Sequence, residues 1–452
     1  MKTTARTVLA LTTACLIILG YCLFNFKHLA RNIGYDEVFY FFWVDNWDNY
    51  QVYYPHHLLF TPTSVLFQKC FTELTGITNT AFIQRFKNIL FVSVGLGLFF
   101  LIFYAHSRRF LLSLTIALLI GISGSLWHDV HHHETSAIPV VLINLNMLFL
   151  LFYRKFPYPI LFIILFSLFN AFAILLHQMY LFSIISVFLI LLFTKPKKDT
   201  KFYTFKNLSR SFLYLFFVLC IVGGAYYYIG FVKLNLRLED NPQGTQTYMS
   251  LPIKGNFIKY FYLIKAYDKW GKKHASLLKH GINGYVSSFM TTFRTKYVNP
   301  GDFFNDRHFP SNIVLLAIVT FLSGFIIFFI PVFRRYGMLY PALLLWLVIG
   351  SAFILWWEPW YIEHWIYITI LTWILVFMVC NTLIENIRQN VPRIAVYVFL
   401  CFLLWSVGSV LYRENFTHTV LAQKKLFLPA SASTRYWKED YKMDAIYKKN
   451  DR

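Results

Sequence analysis

Charged residues are scarce in this chain. They make up 14% of its 452 residues, where a soluble domain carries roughly 25%. That shortage excludes an ordinary water-soluble enzyme. The chain also lacks any CxxC pair. Its six cysteines (Cys15, Cys22, Cys70, Cys220, Cys380, Cys401) fall mostly inside apolar runs with no regular spacing, so they read as small packing residues and not as a disulfide or metal framework. There is no Ser/Gly-rich linker, internal repeat or low-complexity tract to mark a string of small domains. No small-x-small cleavage site follows the first apolar run, Thr7 to Phe24, which sits behind Lys2 and Arg6. That run is therefore read as an uncleaved first span.

What the chain has instead is apolar and aromatic mass, 57% and 20% of its residues. The apolar residues come in uncharged runs of roughly 17 to 22, the length that crosses a bilayer core. The pattern predicts an all-α polytopic membrane protein of about eleven spans, near 7–26, 88–105, 110–126, 138–153, 157–174, 178–193, 212–230, 312–333, 338–356, 364–380 and 394–411. Only His177 and Gln178 divide the 157–193 pair. Residues 1–411 form one transmembrane domain and 412–452 an outer tail.

Charge orients these spans. The short loops at Lys2/Arg6, Arg108/Arg109, Arg154/Lys155, 195–210, Arg334/Arg335 and Arg388/Arg393 carry sixteen basic residues against Asp199 and Glu385 alone. Short basic loops stay in the cytoplasm, which predicts an inner N-terminus and, after eleven spans, an outer C-terminus. The long loops 27–87 and 231–311 then lie outside, the first with interfacial helices, the second before span 8. A net charge of +21 divided in this way forms no basic domain, so nucleic-acid binding is not expected. Bulk charge implies membrane lipid as the partner.

The candidate chemistry lies in the outer loops. The first reads Gly34-Tyr35-Asp36-Glu37-Val38-Phe39-Tyr40, followed by Tyr54-Pro55-His56-His57-Leu58-Leu59-Phe60-Thr61-Pro62. A carboxylate just beyond the first span, partly desolvated, suits a general base. Asp36 is equally placed to cap an interfacial helix starting at Val38, and both readings stand on chemistry alone.

In residues 34–62 the chain resembles the GT-C glycosyltransferases, nearest to the protein-mannosyltransferase and aminoarabinose-transferase-like branch. Tyr-Pro-His-His-Leu-Leu stands where that branch often has His-Pro-Pro-Leu. The resemblance implies a sugar donor on a polyprenyl-phosphate carrier. The acceptor would be a glycan, lipid or protein at the outer face, and transfer would invert the anomeric centre. It implies Asp36 as catalytic base beside Glu37, with Tyr35, His56 and His57 at the substrate. The Lys/Tyr/Phe-rich composition points to a bacterial inner membrane as the setting.

The second outer loop, Trp127-His128-Asp129-Val130-His131-His132-His133-Glu134, crowds imidazoles and carboxylates that suit a divalent ion such as Mn²⁺, Mg²⁺ or Zn²⁺. Helical spacing pairs His128 with His131, Asp129 with His133, and His131 with Glu134. A wet interfacial loop is the plain alternative. Some GT-C enzymes place an acidic metal motif in this loop. Before the tenth span, four tryptophans and Tyr361 serve as interface anchors, while Glu363 and His364 are expected to face a substrate cavity. In 231–311, Arg294 and Lys296 are the expected phosphate contacts. Three other readings compete. Polymerases or ligases of polysaccharides share the large outer loop. Transporters place charge at mid-span, unlike this chain. A haem-handling protein would pair its histidines at a repeating spacing, which is not seen.

Overall fold

The computed structural model describes residues 3–27, 40–41, 43–45, 47, 57–131, 135–156, 158–193, 205–229, 320, 322–357, 365–386 and 390–419. Among these the fold is entirely helical. The helices are α1 (Thr3–Lys27), α2 (Phe60–Thr75), α3 (Thr80–Ser107), α4 (Phe110–Gly121), α5 (Gly124–His131), α6 (Ala137–Phe149), α7 (Pro159–Leu176), α8 (Ser183–Phe193), α9 (Phe205–Tyr227), α10 (Phe329–Tyr336), α11 (Leu339–Trp357), α12 (Ile366–Asn386) and α13 (Asn390–Thr419). Short 3₁₀ segments, Leu150–Lys155 and Gln178–Phe182, extend α6 and precede α8.

Five helices are long and apolar enough to cross a membrane: Thr4–Phe26, Thr80–Ser107, Pro159–Leu176, Asn207–Tyr227 and Ile366–Asn386. The number rises to seven if two bent pairs each count as one span. One pair is α4 and α5, bent by 57°; the other is α10 and α11, bent by 119°. Each of the eleven apolar runs read from the sequence overlaps described helix. Several of those helices are short, however, so the structure supports a bundle of apolar helices and not the count of eleven.

Local chemistry accounts for the breaks. Asn79 caps α3 by accepting from the Phe82 N–H at 3.0 Å, which satisfies one of the donors that every helix start leaves open. Gly76 ends α2 at φ 72°, and its N–H reaches Thr72 O, the left-handed cap that glycine takes without steric cost. Pro159 opens α7, where a missing N–H removes nothing. At His177 the backbone turns extended, φ −158° and ψ 116°, and its Nδ1 accepts from Met179 N–H. The His177-Gln178 interruption is thus a real corner between α7 and α8. The α4–α5 break at Ile122-Ser123 is braced from outside, because Trp373 Nε1 donates to Ser123 Oγ at 2.8 Å.

Helix α12 is the axis of the bundle and is buried almost end to end. It packs against α4, α6, α10 and α11. The outer helices invert the soluble pattern. Leu16, Leu19 and Leu23 on α1, Leu168 and Phe169 on α7, Phe216 and Leu219 on α9, and Val398 and Trp405 on α13 are exposed. Apolar surface on that scale marks contact with lipid.

Side-chain contacts divide the bundle into two ends. At one, Arg109 Nε donates to Asn381 Oδ1 at 3.1 Å, Asn381 donates to Tyr336 Oη at 2.8 Å, and Arg335 pairs with Glu385. Arg109, Arg335 and Glu385 belong to the short basic loops read from the sequence. At the other end gather His57 and Leu59 just before α2, α5 and the α7–α8 corner.

Candidate functional site

That second end buries polar groups that lipid contact cannot explain. Asp129 is fully buried on α5. Its backbone carbonyl accepts from Asn88 Nδ2 at 3.3 Å, which fixes α5 against α3. Its carboxylate lies close enough to the Tyr180 phenol for the two to interact electrostatically. Tyr180 is itself buried and donates to Ser136 O at 3.4 Å. Its ring meets Tyr367 edge-on, with centroids 6.0 Å apart, and Tyr367 stacks on Trp346 at 6.0 Å. Gly350 on α11 lets the Tyr367 hydroxyl approach, since a Cβ there would collide with it.

The segment just before α2 enters the same cluster. His57 is buried, and its ring lies 4.5 Å from that of His177. His177 in turn lies 5.5 Å from Tyr180. Leu59 N–H donates to Leu175 O at 3.0 Å, which ties the loop backbone to the end of α7. Tyr40 packs edge-on against Phe60 at 5.3 Å. A continuous train of rings therefore runs from Tyr40 through His57, His177 and Tyr180 to Tyr367, with Asp129 beside it.

A buried lysine lies along the same seam. Lys87 is 2% exposed; its Nζ donates to Ser64 Oγ at 2.5 Å and sits 4.6 Å above the Phe60 ring. Burying an ammonium is costly unless something in the site uses its charge.

His131 is also buried. Its Nδ1 is 2.7 Å from Trp127 O. A carbonyl only accepts, so Nδ1 carries the proton and Nε2 is the basic nitrogen, the tautomer that ligates metals. Asp129 and His131 are the described members of the expected ligand set. Among the described residues, no group of three or more His, Cys, Asp or Glu side chains is placed to hold a metal ion. The His128 backbone is in α5 and its side chain lies outside the described residues, as do His133 and Glu134. So do Tyr35, Asp36, Glu37, His56, Arg294, Lys296, Glu363 and His364.

Of the residues expected from sequence, the structure therefore brings His57 and Asp129 to one end of the bundle. It adds His177, Tyr180, Tyr367 and Lys87, which sequence reasoning left aside. Lys87 carried a signal, as a lysine placed one residue ahead of an apolar run. Tyr180 and Tyr367 carried none, since tyrosine is also the ordinary interface anchor.

No family model matches this chain, and no curated protein matches it. Two solved structures of the oligosaccharyltransferase AglB from Archaeoglobus fulgidus are similar to it. One is in complex with an inhibitory peptide and a dolichol-phosphate; it is 13% identical, covers 90% of this chain and 55% of its own, and has a TM-score of 0.52. The other is tethered through a disulfide to an acceptor peptide containing the NVT sequon; it is 13% identical, covers 92% and 55%, and has a TM-score of 0.53. The chain thus spans about half the length of the structures it matches. At this identity the likeness is one of fold.

Proposed function

We propose that this chain is a GT-C-type glycosyltransferase that moves a sugar from a polyprenyl-phosphate-type carrier to an acceptor at the outer face of the membrane. The observation that carries the reading is the buried Asp129–Tyr180–His177–His57 cluster at the bundle end that receives the first outer loop. It lies in a fold shared with a protein whose structure holds a dolichol-phosphate.

In the proposed reaction the acceptor hydroxyl gives its proton to Asp36 while its oxygen bonds to the anomeric carbon. The bond from that carbon to the carrier phosphate breaks, and the electron pair leaves with the phosphate. A single displacement inverts the centre. Negative charge grows on the leaving phosphate, where preorganised cations contribute most. Arg294 and Lys296 are the proposed contacts there. Glu363 and His364 would line the sugar pocket with Tyr35, His56 and His57. A divalent ion, if one is used, would draw on Asp129, His131 and the remainder of the 128–134 loop, and would supply the same charge neutralisation.

The test is mass spectrometry of lipid-linked sugars and surface glycans from cells with and without the protein. Loss of the protein should raise one polyprenyl-phosphate sugar and remove one glycan modification. Identical profiles would overturn the proposal.

The accompanying topology has eleven spans, the N-terminus inside and 412–452 outside, in a bacterial inner membrane. It rests on the basic short loops and the positive-inside rule. A reporter active only in the cytoplasm, fused after residue 452, should stay silent. A strong signal there removes one span from the count.

A further inference from the structure

Beside the buried cluster, the first outer loop and α2 enclose a separate cavity of about 360 Å³. Its wall includes Asp45, Trp47, Gln68, Lys69, Thr72 and Glu73. None of the residues around Asp129 belongs to that wall. The volume falls at the low end of small-ligand pockets, about 300–1,000 Å³.

The wall is built from within. Gln68 Nε2 donates to Thr80 Oγ1 at 3.0 Å and to Asp45 Oδ1 at 3.4 Å, and Thr80 Oγ1 also donates to Asp45 Oδ1. Gln84, fully buried on α3, donates to Gln68 Oε1 at 3.2 Å and to Ser64 O at 3.0 Å. Asp45 and Gln68 are therefore fixed before any ligand arrives, which reduces the ordering cost of binding. Partial burial raises the Asp45 carboxyl above its usual range, and the Thr80 and Gln68 hydrogen bonds oppose that rise.

The chemistry of the wall narrows the occupant. Trp47 is 51% exposed, and Lys69 Nζ lies 3.4 Å from its ring centroid. Two carboxylates against one ammonium disfavour a phosphate. Lys69 already covers the indole face and disfavours a second ammonium. The amide, hydroxyl and carboxylates disfavour a purely apolar guest. What remains is a neutral molecule with vicinal hydroxyls to donate to carboxylates and a C–H face to lie on indole. Lys69 is exposed and unbranched, so it can swing aside.

We infer that this cavity is a saccharide subsite, holding a neutral pyranose unit of a glycan acceptor. The acceptor assignment rests on the glycosyltransferase reading; sugar binding at the cavity does not.

The experiment is saturation-transfer NMR on the full chain in phosphatidylcholine nanodiscs, which avoids sugar-headed detergents. The probes are the methyl glycosides of glucose, galactose, mannose and N-acetylglucosamine. At least one should receive saturation. Trp47→Ala should weaken it by about tenfold or more, the loss of one aromatic platform. Glu73→Gln should weaken it less, and Lys69→Met should preserve or strengthen it. Silence from all four probes, an unchanged signal in Trp47→Ala, or displacement by inorganic phosphate would each overturn the subsite. If the sugar binds as expected and Trp47→Ala leaves transfer onto a glycan untouched, the acceptor role falls while the sugar site stands. If the sugar binds and no variant or wild-type protein transfers sugar at all, the glycosyltransferase reading is what fails.

Discussion

Asp36→Asn should abolish sugar transfer while the protein still folds and inserts. Asp36 stands about ten residues after the first apolar run in the sequence, a spacing that would bring it to the depth where a carrier phosphate meets water. A carboxylate held there without a basic neighbour in sequence suits a proton acceptor. Asparagine keeps its shape and most of its hydrogen bonds but cannot take a proton. Loss of a general base typically costs about 10²–10⁴-fold in rate. Glu37→Gln should cost less, because Glu37 is proposed only to support its neighbour. Rates of transfer from a polyprenyl-phosphate sugar, normalised to folded protein by gel filtration, decide the matter. If Asp36→Asn is near normal and Glu37→Gln is dead, the two roles are exchanged. If both variants transfer normally, the glycosyltransferase assignment falls with them.

The parts of this molecule that could be read from its sequence are those governed by one-dimensional rules. An apolar run long enough to cross a bilayer becomes a helix in either environment, so α1, α3, α7, α9 and α12 all appear where apolar runs stand. The corner at His177 was visible because a polar pair interrupts an otherwise continuous run. The break between α4 and α5 falls in Gly121-Ile122-Ser123-Gly124-Ser125, a glycine and serine cluster that breaks helices, although the expected span 110–126 runs through it. What the sequence could not show is the bracing hydrogen bond from Trp373, 250 positions away. The site divides in the same way. Asp129 stood out as an acid in a histidine-rich loop, but its complete burial depends on the packing of α5 against α3, α6 and α12. His177 stood in the sequence only as part of the break between two apolar runs; folding placed it against His57. The seam from Lys87 through Ser64, Gln84 and Gln68 to Asp45 has no sequence period, because it crosses between two helices and a loop.

Asp129→Asn should lower transfer by about 100-fold or more, comparable to removing a preorganised group that faces developing charge. The argument starts from cost. Desolvating a carboxylate costs several kcal/mol even after relaxation, and Asp129 is fully buried in an apolar bundle. Hydrogen bonding alone does not require the charge, since an amide of the same outline accepts through one oxygen. An ionisable acid at that depth is expected to face substrate, ion or proton. Two variants separate these roles from simple packing. Asparagine keeps volume and loses charge; Asp129→Glu keeps charge and moves the carboxylate by one methylene. A merely structural charge predicts that glutamate restores function wherever the protein folds. A positioned ligand or substrate contact predicts that it does not, because a displacement of about 1 Å is enough to cost roughly 10²-fold. Exhaustive chelation then sorts the two remaining roles. If Asp129 ligates a metal, chelation should reduce wild-type activity to the level of Asp129→Asn and leave the variant unchanged. If Asp129 meets the substrate directly, chelation should leave wild-type activity intact. Full activity in folded Asp129→Asn would remove the residue from the site, and phosphate neutralisation would then fall to the basic residues of 231–311.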